Sequence, residues 1–196
     1  MALAKTKAVT LKDLLSLGGD AQVEVFNGEI VLMSPVGVLH HIIVSNILQI
    51  LYAYVSVHEI GTVFPDGLLY LMDGPAKRLK DSFVPDVSFI RNDNVPTNWD
   101  ISKPHPGTPN LAVEVVSPGD DANKLQNKIR TYLDKGTEQV WVVYPETKEV
   151  YHYRREGTPE LVRIYREHEK IDADALFPGL DLSLDMVFKL PSWAKK

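Results

Sequence analysis

Two short runs carry a carboxylate where packing has no use for one. Pro85-Asp86-Val87-Ser88-Phe89-Ile90 opens an apolar stretch on an acid, and LAVEVVSP over 111–118 sets Glu114 between two valines. Asp and Glu are rarely buried unless paired or bound to a metal. Both runs read as β-strands, whose side chains alternate between faces. Asp86, Ser88 and Ile90 therefore share one face of the first, and Ala112, Glu114 and Val116 one face of the second. On neighbouring strands the two carboxylates can converge at one end of a sheet. Hard oxygen ligands suit Mg2+ or Mn2+ rather than zinc, and such a cation points to hydrolytic phosphate chemistry. The blander account is a pair of strand-end charges satisfied by a cap or an arginine.

Residues 121–134 read as a helix stopped by Gly136, with Leu125, Ile129, Tyr132 and Leu133 as its apolar stripe. At ~100° per residue, Lys128 lies roughly 60° from Leu125, at the edge of that stripe. Its ammonium either stays in water with the stem laid along the core, the commoner fate, or reaches toward the strand acids. His40 opens a long apolar helix and could be an extra ligand or a phosphate contact. A helix-end or core histidine is the commoner reading, and His41 stands beside it. Glu29, after a hairpin glycine, could complete a site or be a solvated strand residue. Lys77, Arg78 and Lys80 could meet a phosphate backbone or form a solvated loop. Asp66, between Pro65 and Gly67, reads as turn chemistry. No Gly-rich phosphate loop, nucleophile elbow or His-x-x-x-His pair is present.

Several elements must position these residues. Thr10 caps a short helix over 11–17, ended by Gly18-Gly19. Asn27-Gly28 marks a hairpin between two alternating strands. A helix covers 40–57, a strand follows Gly61, and LLYLM over 68–72 reads as another. Residues 91–110, polar and proline-rich, form a surface loop able to flank a site. QVWVVY (139–144), EVYHYR (149–154) and ELVRIY (160–165) are strands, and 176–188 an edge strand with a closing segment. The simplest assignment is one α/β domain over 1–196: a mixed central β-sheet flanked by helices, an N-terminal hairpin and C-terminal β additions.

A net charge of -5 argues against broad, unspecific nucleic-acid binding, though not against an enzyme whose acids surround a metal. The chain has no cysteine, which removes disulfides and thiolate metal sites and fits a reducing cytoplasm. No signal peptide is expected at MALAKTKAVT and no run of membrane-spanning length, so the expectation is a soluble, cytoplasmic protein without a membrane partner.

Together these positions resemble the restriction-endonuclease-like superfamily, with its Pro-Asp…Asp/Glu-x-Lys (PD-(D/E)XK) motif, and more closely its Uma-type branch. The shared pattern runs through Glu24, Gly28-Glu29, Ser34-Pro35, His40, Pro85-Asp86-Val87, and the Glu114 to Pro118 run. It continues through Lys128, Tyr132, Gly136, the Val140 to Val143 run with Pro145, and Pro178-Gly179. The resemblance covers nearly the whole chain and rests on order and spacing rather than on one motif. It implies a core of about 39–144: helix 39–57, a three-stranded meander within 61–116, helix 121–134 and strand 139–144. It also implies a metal-dependent endonuclease hydrolysing DNA phosphodiester bonds, with Asp86 and Glu114 holding Mg2+ (or Mn2+). One departure matters. The general motif wants lysine two residues after Glu114, where Val116 stands; in the Uma-type branch a helical lysine substitutes, here Lys128, as the third catalytic residue. Members also place an acid four residues before that lysine, where this chain has Lys124, and Asp120 or Asp121 are the candidates to compensate. Glu29 and His40 are the accessory candidates. The alternative is an inactive nuclease-like scaffold acting as a binding or assembly module, which Val116 and the acidic balance favour. Exposed strands among 149–154 and 160–165 could support a homodimer.

Overall fold

The computed structural model describes residues 8–18, 23–74, 78–155 and 161–194. In chain order the elements are α1 Leu11–Leu15, β1 Val23–Phe26, β2 Glu29–Leu32, α2 Val38–His58, β3 Gly61–Pro65, β4 Tyr70–Leu71 and β5 Ser82–Phe83. Then come β6 Val87–Arg91, β7 Leu111–Val115, α3 Ala122–Lys135, β8 Gln139–Tyr144, β9 Glu149–Arg154, β10 Leu161–Tyr165 and α4 Leu184–Val187. The main sheet has the order β10-β9-β8-β7-β6-β3. Its pairs are antiparallel except β7 with β8. Parallel neighbours need a crossover, and α3 supplies it.

Alternation along the strands sorts the core into two layers. Val87, Phe89, Leu111, Val113, Val115, Trp141 and Val143 point to one face. There they meet Ile43, Ile47, Leu51 and Val55 of α2 and the closing segment, including Leu176, Phe177, Leu182 and Val187. Ile90, Ala112, Val140 and Val142 point the other way, onto Ile129, Tyr132 and Leu133 of α3. Gly61 must be a glycine: a Cβ there would lie 2.2 Å from the Ile90 carbonyl oxygen.

A second sheet, in the order β2-β1-β5-β4, packs beside the first. Its hairpin turns on Asn27 (φ 50°) and Gly28 (φ 82°), the paired left-handed conformations that match strand twist. Val23 and Val25 enter a small core with Leu14, Leu71 and Leu79. That leaves Glu24 on the opposite face of β1.

Some expectations change. α1 ends at Leu15 rather than Leu17. LLYLM contributes only the two-residue β4, which joins the second sheet. Where 176–188 was expected to form an edge strand, the described residues show the Lys170–Ser183 bridge and the short helix α4. Phe177 and Leu182 are committed to the α2 core instead. Loop 91–110 joins the far ends of β6 and β7 and folds back onto the second sheet, where His105 pairs with Tyr70. It is also not wholly superficial, because His105 and Asn110 are buried. β9 is paired on both sides, so of the two strands read as exposed only β10 keeps an open edge. α2, at 21 residues, is long and apolar enough by length and composition to cross a membrane, contrary to expectation. In this fold its inward stripe packs on the sheet. Gly19, Lys77, Gly157 and Glu160 lie outside the described residues.

Candidate active site

Strand register brings the two sequence-selected acids together. β6 and β7 pair with Val87 opposite Val113 and Ser88 opposite Ala112. Asp86 lies just before this ladder, and its N–H donates to the carbonyl of Val113, the partner of Val87, at 3.0 Å, so both acids sit at the same end of the strand pair. Pro85 has no N–H and ends the ladder there. Asp86 Oδ2 accepts the Val115 N–H at 2.6 Å, which ties the carboxylate to the residue after Glu114. Their charges lie close enough that Asp86 helps raise the Glu114 pKa.

His40 enters from the first turns of α2. Its Nε2 lies 3.3 Å from Asp86 Oδ2, and the Val115 carbonyl accepts from the same ring. Nδ1 is buried with no partner among the described residues. Burial lowers the His40 pKa, but the Asp86 hydrogen bond and charge, the Val115 carbonyl and Asp120 outweigh it and raise the pKa.

Glu114 faces α3, where Lys128 and Tyr132 stand one turn apart on one helix face. Lys128 Nζ donates to Glu114 Oε2 at 2.8 Å, and the Tyr132 hydroxyl donates to Oε1 at 2.9 Å. Lys128 thus extends to the strand acids rather than snorkelling; its side chain is only 11% exposed. Sequence reasoning set Glu24 aside, yet Glu24 Oε1 lies 2.8 Å from the same ammonium. It also accepts the Val84 N–H at 2.8 Å. Burial pushes the Glu114 pKa up; Lys128 opposes that, while Asp86 and Glu24 add to it. Burial would lower the Lys128 pKa, but Glu114 and Glu24 overcome it and raise it. Three carboxylates, Glu24, Asp86 and Glu114, thus gather around one ammonium and one imidazole ring.

Other candidates sort clearly. Asp66, read as a turn residue, follows β3 directly, and its charge lies near enough to Asp86 to feel it. Burial and Asp86 raise its pKa, while His40 and His41 oppose the rise. Asp121 is spent as the N-cap of α3, accepting from the Asn123 and Lys124 N–H groups. Asp120 accepts the Ser117 N–H at 2.7 Å. Lys124 is exposed. Glu29, opposite Phe26, shares the hairpin face of Glu24 but is exposed. Val116 packs against the α3 layer, on the face of Glu114. Tyr132 was read only as part of an apolar stripe; its spacing of four from Lys128 was the available signal. Glu24 offered none, because its role depends on how the second sheet docks.

The donor chemistry fits a hard divalent ion. Asp86 and Glu114 supply carboxylate oxygens, the donors such an ion takes. Among the described residues no three His, Asp or Glu side chains stand at ligating spacing. A divalent ion at this place would have at most two carboxylates as protein ligands and would take its remaining ligands from water.

Three comparisons place the molecule among known proteins. No curated protein matches the chain. A solved structure described as "a putative nuclease belonging to DUF820" from Anabaena variabilis is similar, with a TM-score of 0.75 and 21% identity. The alignment covers 92% of this chain and 97% of that one, which establishes a shared nuclease-type fold. The Uma2 family model, described as "Putative restriction endonuclease", matches residues 10–185. The chain accordingly belongs to the Uma2 family, with the mixed, helix-flanked sheet that its sequence resemblance implied.

Proposed function

We propose that this protein is a Mg2+- or Mn2+-dependent endonuclease that hydrolyses DNA phosphodiester bonds, with Asp86 and Glu114 as metal ligands and Lys128 as the charged catalytic group. The observation that supports the reading is that Asp86 and Glu114 lie at the same end of the β6–β7 pair, with Asp86 bonded to the Val115 N–H and Lys128 bonded to Glu114. A divalent ion bound there would lower the pKa of a water and offset charge on the attacked phosphate. Lys128, held as an ammonium by two carboxylates, acts as a donor that orients a water or a phosphate oxygen, not as a base. Tyr132 fixes the second oxygen of Glu114. His40 steadies Asp86, and the exposed His41 beside it is the ring that could meet a phosphate oxygen. A homodimer through the open edge of β10 belongs to the same reading, and light scattering at the 22.0 kDa monomer mass would count against it.

The test is nicking of single- and double-stranded DNA with Mg2+ or Mn2+, beside calorimetric Mn2+ titration. The intact chain should cleave and bind, and Asp86→Ala or Glu114→Ala should lose both while retaining the fold. A second reading, an inactive binding scaffold, draws on one observation: Glu24, Lys128, Glu114 and Tyr132 already satisfy one another. A folded chain that takes up no Mn2+ at millimolar concentration would favour that scaffold.

A further inference from the structure

We infer that Glu24 is a positioning residue of this site, sharing the charge of Lys128 so that Glu114 stays available to a cation. The inference rests on the metal-dependent reading above. Glu24 comes from β1 of the second sheet, outside the strands and helices that carry Asp86, Glu114 and Lys128. One of its oxygens does two jobs. Oε1 accepts the Val84 N–H, two residues before Asp86, and so fixes the backbone that delivers that acid. The same oxygen lies 2.8 Å from Lys128 Nζ, equal to the distance from Nζ to Glu114 Oε2. The ammonium is therefore balanced between two carboxylates rather than neutralising one.

Removing the Glu24 charge puts the whole pull of the ammonium on Glu114. A divalent ion at Glu114 would then meet a more fully paired carboxylate and an unbalanced positive neighbour. The Glu24 side chain is only 13% exposed, so solvent and salt screen this effect weakly. Glu24→Gln keeps the shape and an oxygen for the Val84 N–H, and isolates the charge from the backbone tether.

The experiment is a double-mutant cycle read by Mn2+ calorimetry on the full chain: unaltered, Glu24→Gln, Lys128→Gln and the pair. Glu24→Gln alone should weaken Mn2+ binding about tenfold, and by less than about threefold in the Lys128→Gln background, since contacting residues are not additive. DNA cleavage should lose kcat more than KM. If Glu24→Gln fails to fold, Glu24→Asp keeps the charge but is too short to hold both Nζ and the Val84 amide, and it should weaken binding by about threefold in the same cycle. An unchanged Kd, or an equal loss in both backgrounds, overturns the role of Glu24 while leaving the metal site standing. An unaltered chain that binds no Mn2+ overturns the site and this inference together.

Discussion

Acid should destabilise this protein through one residue far from the candidate site. His152, on β9, is completely buried. Its ring lies edge-on to Trp141, with centroids 5.8 Å apart, and stacks on Tyr165 at 6.2 Å. Neither ring nitrogen has a hydrogen-bond partner among the described residues. Burial pushes its pKa down from 6.5 to about 3; the Arg154 charge adds to the fall and Asp172 opposes it. A group whose folded pKa is depressed contributes stability that is complete above its unfolded pKa and lost as pH falls toward its folded one. The window is therefore pH 6.5 down to about 3. Between pH 7 and pH 5 the unfolded chain gains a proton that the native state refuses, a loss of about 2 kcal/mol. That is a large part of a typical total of roughly 5–15 kcal/mol. Urea unfolding of the intact chain and of His152→Phe at both pH values isolates the effect, because all other titrating groups cancel in the difference. The intact chain should lose about 2 kcal/mol more than the variant over that interval. Equal losses would show that the ring is solvated or partnered, and the reasoning would fail.

Two further outcomes are expected. Gly61→Ala should lower stability by about 3 kcal/mol or more, or roughly 10 °C in Tm by calorimetry, because its Cβ would collide with the Ile90 carbonyl and the Phe89 ring. Asp121→Ala removes the acceptor for two N–H groups at the start of α3. It should destabilise the fold by about 1 kcal/mol in urea unfolding yet leave Mn2+ affinity unchanged, since that carboxylate is committed to the helix end.

Much of the fold could be read from local chemistry. QVWVVY and EVYHYR emerge as strands over the expected residues, and Asp121 and Gly136 bound α3 as its caps. Asp86 and Glu114 were conspicuous because a carboxylate amid valines needs a reason. Glu24 has the same valine flanks, but on a hairpin strand it passes for a solvent-facing residue. Only the docking of the second sheet gives it a partner. Asp66 was hidden by Pro65 and Gly67, which explain an acid at a turn equally well without reference to β6. The position of loop 91–110 was deducible. If Asp86 and Glu114 share one end of two antiparallel strands, the connection after Arg91 must start and finish at the other. The tail could not be read, because its apolar residues answer to the shape of α2 and follow no strand period.

That tail gives α2 an awkward biosynthetic history. Leu176, Phe177, Leu182 and Val187 share its apolar layer, and Asn46 of α2 donates to the Val187 and Lys189 carbonyls. On the ribosome, α2 is made before most of the sheet and all of this cover. At about 5–20 residues per second, the uncovered interval lasts roughly ten seconds. For that time the nascent chain displays a helix with the length and greasiness of a bilayer anchor. Chains cut short before Leu176 would keep displaying it, so premature termination should yield products that aggregate or attract chaperones rather than a partly folded, soluble domain.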